Sequence, residues 1–326
     1  MPEAIVVEKY GEPSVLRPKS VEVPSPKQHE IKIRQTAAGV NFHDIYVRSG
    51  LYKTLALPGI PGIEGVGVVT ELGPEVKDVA EGDRVAYITP QYGGYASERI
   101  IHAAIAIPLP DEVSDEMAAA TILKGLTVQM LTQRVTTLQK DEWVLIHAAA
   151  GGVGHLLVQE AKRVGACVIG TVGSPEKSEI ALRNGCDQTI LYREESVVDQ
   201  VMGITHNQGV GVVYDSVGKD TFHDSLASLA YTGHLVNFGQ SSGPVEGFEI
   251  PMLARKSITL SRPMLFHYTN DRKQLLAMAS RFFDSMIKGE VVPVPPVKFP
   301  LKDADQAHQL LASRKSTQPI ILIPES

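Results

Sequence analysis

Residues 143–165 read WVLIHAAAGGVGHLLVQEAKRVG. A short apolar run ends in three alanines, glycines follow at 151, 152 and 154, and apolar residues then recur at helical spacing. That order predicts a strand, a tight turn and a helix. Glycine lets the backbone approach a pyrophosphate closely, and the N–H groups at a helix start face such an anion, aided by the helix dipole. The dinucleotide-binding pattern G-x-G-x-x-G is not met literally. Ala149 takes the first glycine slot, Gly151 the second and Gly154 the third. A small residue in the first slot still permits the turn. Gly151, Gly152 and Val153 are the expected cofactor contacts here.

Outward from this turn, strands and helices alternate. CVIGTV (167–172), QTILY (188–192), GVGVVYDSV (209–217) and HLVNFG (234–239) read as parallel strands. Helical spacing fills the intervals, in PEKSEIALRNG, EESVVDQVMGI and KDTFHDSLASLA, and also in DEMAAATILKGLTVQMLTQ before the first strand. Such alternation predicts an α/β domain with a doubly wound parallel sheet. SITLS at 257–261 is placed at the sheet edge. The first 110 residues differ: AIVVEKY, EIKIRQTAAGV, EGVGVVTELG and DRVAYI are short strands between Gly and Pro turns, the pattern of a β-rich domain. After about residue 266 come a helix near 271–288, another near 302–314, and a last strand in PIILIP. This tail is too short for a domain and is expected to return to the first one.

The totals exclude several classes. A length of 326 residues allows about two domains. The formal net charge is −6 with no basic blocks, so neither nucleic acid nor an anionic membrane is an expected partner. The N-terminus lacks the pattern of a signal peptide and no apolar run is long enough to span a bilayer, so the expected location is cytoplasmic. Cys167 and Cys186 are the only cysteines, too few for a structural zinc site. The ten histidines form no recognisable triad, and no G-x-S-x-G is present, so a hydrolase is not supported.

The choice of cofactor rests on the end of the second parallel strand. An acid there binds the ribose 2′-hydroxyl of NAD. Here the strand ends in Gly173 and Ser174, Lys177 follows, and Tyr192 with Arg193 ends the third strand. A small residue, a hydroxyl and a cation suit a 2′-phosphate, so NADPH is expected. Phe238, Gly239 and Ser241 lie just past another strand end, where open α/β sheets bind ligands, and Ser216 ends a further such strand.

Spread over nearly the whole chain, GVNFHDIYVRSGLY (39–52), PGIPGIEGVGVVTELG (58–73), GDRVAY (82–87), ILKGLT (122–127), HAAAGGVG (147–154), GTVGSPEK (170–177), VYDSVG (213–218) and NFGQSSG (237–243) resemble the zinc-independent quinone oxidoreductases of the medium-chain dehydrogenase/reductase superfamily, the group that includes zeta-crystallin. The resemblance implies a GroES-like β-rich catalytic domain from 1–123 plus 267–326 and a Rossmann domain at 124–266. It implies homodimers or homotetramers joined through the edge strand, here SITLS. It also implies cofactor contacts at Thr127 and at Arg314, near the end of the last helix.

Zinc-dependent relatives place a cysteine in the segment matching NFHD and a His-Glu pair in the segment matching GIEG. This chain has Asn41 and Ile63 at those positions, so no metal is expected. A catalytic zinc takes about three protein ligands. Without a Lewis acid, the easier reaction is reduction of an acceptor poised for hydride, such as a quinone or an α,β-unsaturated carbonyl. Asn41 can donate to the cofactor ribose or the substrate oxygen, and Asp44 shares its face if the segment is helical. Tyr46 and Tyr52 can line an aromatic pocket or donate a proton. Those three, Asn41, Tyr46 and Tyr52, are the expected catalytic residues. The expected function is NADPH-dependent quinone reduction, with hydride or electrons passing to the acceptor. An enone or alkenal reductase, and a non-catalytic NADPH-binding structural or RNA-binding protein, are the alternatives.

Overall fold

The short alternating runs of the first 110 residues form strands, as their period-2 pattern predicts. In the computed structural model, which describes residues 1–325, β1 (Glu3–Val6) and β2 (Arg17–Ser20) pair antiparallel. A larger sheet contains β3 (Glu30–Val40), β4 (Glu64–Leu72), β5 (Arg84–Ile88), β6 (Glu98–His102) and β7 (Ile107–Pro108). Ile31, Ile33, Val69, Val85, Tyr87 and Ile101 project from these strands into one buried cluster. The tail does return here: Ile320–Ile323 pairs antiparallel with β3, and Val297–Pro300 pairs parallel with it in turn. Helix α1 (Phe42–Ser49) follows β3 directly and ends at Gly50, whose φ of 84° suits the left-handed C-cap. Helix α2 (Asp115–Met130) follows β7. One compact unit comprises Met1–Leu123, Thr269–Ile287 and Pro293–Ser326.

The second unit comprises Lys124–Tyr268 and Lys288–Val292. Its strands are β8 (Trp143–Ile146), β9 (Cys167–Val172), β10 (Gln188–Leu191), β11 (Val210–Asp215), β12 (Leu229–Asn237) and β13 (Thr259–Ser261). They form one parallel sheet in the order β10-β9-β8-β11-β12-β13, the doubly wound order expected of a dinucleotide-binding domain. Helices α3 (Gly152–Val164), α4 (Pro175–Arg183), α5 (Val197–Ile204) and α6 (Phe222–Ser228) fill the crossovers. Leu145, Ile169, Val213 and Leu235 from four strands and Val201, Phe222 and Leu226 from two helices share one core. Within SITLS, Thr259–Ser261 forms the edge strand, with Ser257 and Ile258 lying before it. The chain order reverses between β8 and β11, which makes their carboxyl ends the ligand-binding switch point.

Three sequence positions shift. Tyr192 and Ser216 stand one residue beyond β10 and β11 rather than on them. The last helix stops at Ala312, and Arg314 lies past it with φ 56°, exposed.

Candidate active site

In the first unit, Asn41 links β3 to α1 as the helix N-cap, with φ −128°. Its backbone N–H donates to the carboxylate Oδ2 of Asp44 at 2.8 Å. Asp44 is fully buried, and the same oxygen accepts from the Tyr95 hydroxyl at 3.0 Å. Tyr95 in turn lies 3.0 Å from Nε2 of His308, on the helix Ala304–Ala312. The Asn41 side chain is already engaged. Its Nδ2 donates to Oε1 of Glu64 at 2.6 Å, while Oε2 of this fully buried carboxylate accepts from the Leu123 N–H at 2.9 Å. A Cβ at Gly39 would run into the Glu64 carboxylate, so glycine is required there for a close approach. Among the described residues, no group of three or more His, Cys, Asp or Glu is arranged to hold a metal ion.

Tyr46 and Tyr52 are brought together, half-buried, with ring centroids 5.2 Å apart in a T-shaped pair. Two further residues join them, and sequence reading placed neither of them here. His43 sits 5.6 Å from Tyr52 and stacks on Tyr92 at 5.9 Å, and its Nε2 lies 3.3 Å from the Tyr92 hydroxyl. Thr54 also hydrogen-bonds that hydroxyl. Burial lowers the His43 imidazole to about 4 and raises the Tyr92 phenol. Both are therefore neutral near pH 7, and the Tyr92 hydroxyl is held inside the cluster by His43 and Thr54. The only local signal for Tyr92 was its place in QYGGY, and its φ of 60° is visible only in the structure.

In the second unit, the carboxyl ends of the strands gather the expected cofactor residues. After β8, Ala148 turns with φ 53°, in the left-handed region that favours glycine, and Gly151 caps α3. The first helical N–H groups, of Gly152 and Val153, stand at the open first turn of a thirteen-residue helix. Gly152 and Gly154 differ. A Cβ on Gly152 would meet only the Lys124 side chain, at 3.0 and 3.1 Å. A Cβ on Gly154 would meet backbone: Ala149 Cα at 2.9 Å, the Ala148 carbonyl carbon at 3.0 Å, and closer still the Ala148 oxygen. Gly154 thus seats the helix on the turn, and a pyrophosphate fits the exposed N–H groups beside it.

After β9, Gly173 and Tyr192 meet: a Cβ on Gly173 would lie 3.0 Å from the Tyr192 hydroxyl. Ser174 caps α4, accepting from the Lys177 N–H at 3.4 Å. Sequence reading also passed over Glu176 in this corner. It hydrogen-bonds the Ser174 hydroxyl, and that bond holds its carboxyl below the usual range. No acid ends β9, but one lies two residues past Ser174.

After β11, the Asp215 side chain accepts from the N–H groups of Val217 at 2.8 Å and Gly218 at 3.0 Å, and so shapes the turn that carries Ser216. Its backbone oxygen accepts from Phe238 at 2.8 Å and Gly239 at 3.3 Å, and Ser216 O accepts from Ser241 at 3.2 Å. Arg262, also missed, ties down the same loop. Its Nη1 donates to the side chain of Asn237 at 2.7 Å and to the Gly239 carbonyl at 2.9 Å. Ser216, Phe238, Gly239 and Ser241 therefore share one hydrogen-bonded platform. Thr127 lies half-buried on α2. His147, Ser225 and Asp215 do come together, but Ser225 sits between the other two and all three are at most 1% exposed, so they make no nucleophile.

Two family models cover much of the chain. Residues 27–111 match the alcohol dehydrogenase GroES-like domain, and residues 152–281 match the zinc-binding dehydrogenase family. A quinone oxidoreductase of Salmonella typhimurium is 43% identical over 99% of this chain and 100% of its own length. The chain belongs to the quinone oxidoreductases of the medium-chain dehydrogenase/reductase superfamily. The crystal structure of the Escherichia coli quinone oxidoreductase complexed with NADPH superimposes with a TM-score of 0.96, at 42% identity over 99% of this chain and 100% of that one. A 2-haloacrylate reductase from Burkholderia is 37% identical over 99% of both chains. The fold class, a GroES-like β-rich domain with a Rossmann-type parallel sheet, agrees with these relatives.

Proposed function

We propose that the chain is an NADPH-dependent quinone reductase that works without a metal. The observation that carries this reading is the Ala148–Gly154 turn. It presents open helix N–H groups at the switch point of a doubly wound sheet, in a chain 42% identical to a quinone oxidoreductase of known NADPH complex. When bound, NADPH supplies hydride, or single electrons, to the acceptor. The N–H groups of Gly152 and Val153, with Gly151, hold its pyrophosphate. Gly173, Ser174, Lys177 and Tyr192 hold its 2′-phosphate end, and Ser216, Phe238, Gly239 and Ser241 its nicotinamide end. Thr127 and Arg314 add contacts that follow from the family resemblance.

In this reading Tyr46 and Tyr52 line the acceptor pocket, with His43 and Tyr92 extending it. Asn41 orients the cofactor ribose or the acceptor oxygen. Asp44 acts through Asn41 rather than by touching the cofactor, because its carboxylate is fully buried and already takes the Asn41 N–H and the Tyr95 hydroxyl. Support for metal independence comes from the donors present: an amide stands at position 41, and Glu64 is spent on that amide and on the Leu123 N–H. The remaining work is proximity and orientation.

The 37% identity to a 2-haloacrylate reductase favours a second reading, in which an activated alkene is the acceptor. The purified protein, treated with chelator, is assayed for oxidation of NADPH and of NADH against simple quinones and simple enones. Oxidation of NADPH by quinones after chelation is the expected result. Preference for enones selects the second reading, and binding of NADPH without turnover on either class ends the enzymatic one.

Replacing Lys177 with alanine is expected to raise the Kd for NADPH about 10-fold, the equivalent of about 1.4 kcal/mol, and to leave NADH binding nearly unchanged. Equal affinity for NADPH in variant and wild type removes Lys177 from the 2′-phosphate site. We place the enzyme in the cytoplasm; among the described residues no helix is long and apolar enough to cross a membrane. We also assign it a homodimer through β13, which ends the sheet and, among the described residues, pairs only with β12. Light scattering that returns the mass of one chain would overturn the dimer.

A further inference from the structure

Beneath the cofactor platform of the second unit runs a chain of buried polar side chains that the reading above does not use. Thr171 is 2% exposed, His147 1%, and Ser225 and Asp215 0%. His147 Nδ1 lies 3.0 Å from Thr171 Oγ1, and its Nε2 lies 3.0 Å from Ser225 Oγ. Ser225 Oγ has two acceptors in reach, Asp215 Oδ2 at 3.0 Å and the Thr221 carbonyl at 2.8 Å. A hydroxyl carries one proton. Either acceptor consumes it, so Ser225 can only accept from His147. Nε2 therefore bears the imidazole proton, and Nδ1 is left to accept from the Thr171 hydroxyl. Burial, which pushes the imidazole below its ordinary range, agrees with this neutral ring.

The direction of every bond is then set. Thr171 donates to His147, and His147 donates to Ser225, which leads to Asp215 and Thr221. Thr221 Oγ1 also meets both Asp215 oxygens, at 2.8 and 2.9 Å. The two ends of the chain are what matter. At one end, Thr171 carries the start of the glycine-rich turn: its carbonyl accepts from Ala149 at 3.1 Å, and its hydroxyl faces the Ala148 N–H at 3.4 Å. Ala148 is the residue held at φ 53°. At the other end, Asp215 shapes the turns that carry Ser216, Phe238 and Gly239.

We propose that Thr171, His147 and Ser225 are positioning residues that lock the pyrophosphate turn to the Asp215-centred nicotinamide platform, so that the cofactor meets a preset pair of turns. This rests on the assignment of those turns to NADPH. Burying four polar groups in a sheet core is costly where apolar residues would serve. A fully satisfied, one-directional chain gives in return a fixed geometry between turns on separate strands. The neighbouring Ala148 N–H, on backbone at φ 53° and held from one side by the Thr171 hydroxyl, is where the lock bears on the turn.

Thr171→Val removes the hydroxyl while nearly preserving shape; Thr171→Ser restores it. Both are titrated with NADPH by fluorescence, alongside wild type, and assayed at saturating NADPH. The relay requires the Kd for NADPH to rise about 10-fold in Thr171→Val with kcat changed less than about twofold, and to recover in Thr171→Ser. Ser225→Ala, which leaves the His147 proton without an acceptor, is the second variant and carries the test if the first fails to fold. Its Kd should rise similarly. Lower melting temperatures with unchanged Kd in the folded variants mean a merely structural network and overturn the proposal. Wild type that does not bind NADPH overturns the cofactor assignment itself; wild type that binds, with variants that bind equally well, overturns only the relay.

Discussion

Gly154→Ala loses NADPH binding by about 100-fold while the protein remains folded. The new Cβ falls on the backbone of Ala148 and Ala149, not on a side chain that could rotate away. Either the start of α3 lifts off the turn, or the turn, already held at φ 53° at Ala148, moves with it. Displacement of catalytic or binding groups by about 1 Å costs on the order of 100-fold. Overpacking of a tight contact adds roughly 1–3 kcal/mol of lost stability, within the margin of a typical domain. Gly152→Ala is the internal control. Its Cβ would press only on the far part of the Lys124 side chain, so the fold tolerates it. Fluorescence titration with NADPH and a thermal melt read both effects. Wild-type affinity in Gly154→Ala would show that the turn does not depend on that close approach.

The second large effect appears in acid. His308 is completely buried, and its imidazole is pushed down to about 3, first by burial and then by the nearby Arg48 guanidinium. Tyr95 donates to Asp44, so Nε2 of His308 donates to Tyr95, and Nδ1 has no partner among the described residues. A second proton would enter at Nδ1 with nothing to receive it. In the unfolded chain the ring titrates at about 6.5. The folded value is the lower one, so the contribution to stability is whole above pH 6.5 and is lost as pH falls toward 3. Each tenfold loss of proton affinity on folding corresponds to about 1.4 kcal/mol, so roughly 4 kcal/mol is gone by pH 3. His43, lowered to about 4, adds to the same trend. Urea unfolding at several pH values between 7.5 and 4 isolates the His308 part when wild type is compared with His308→Gln, which keeps a donor toward Tyr95. The variant should start less stable at pH 7.5 and fall less steeply. Parallel slopes would mean that His308 does not hold its proton off in the folded state.

These two sites differ in how far they can be read without coordinates. Everything around Gly154 is local. Strand, turn and helix follow from 23 consecutive residues, and the close approach needed at the third glycine is a property of that motif wherever it occurs. The strand-end residues Ser174, Ser216 and Phe238 are expected by the same local logic, because ligands of open sheets bind past the carboxyl ends of strands. The Asp44–Tyr95–His308 chain is not local. Asp44 and Tyr95 lie 51 positions apart and Tyr95 and His308 lie 213 apart, and no periodicity connects them. His147 and Ser225, 78 apart, are alike in this.

The amino-acid sequence by itself determined the parallel sheet, its glycine-rich turn, the lack of an acid at the end of β9, and an amide at position 41. Hydrophobic periodicity, turn chemistry and residue type are carried by neighbours in the chain, so each of these survives without knowledge of the fold. The tertiary structure alone decided that Asp44 is buried behind Asn41, that Glu64 holds the Asn41 amide, that Glu176 sits at Ser174, and that a polar chain joins the turn after β8 to the turn after β11. A buried polar group must find its partner wherever the fold brings one, and that choice is made by the packing of distant segments.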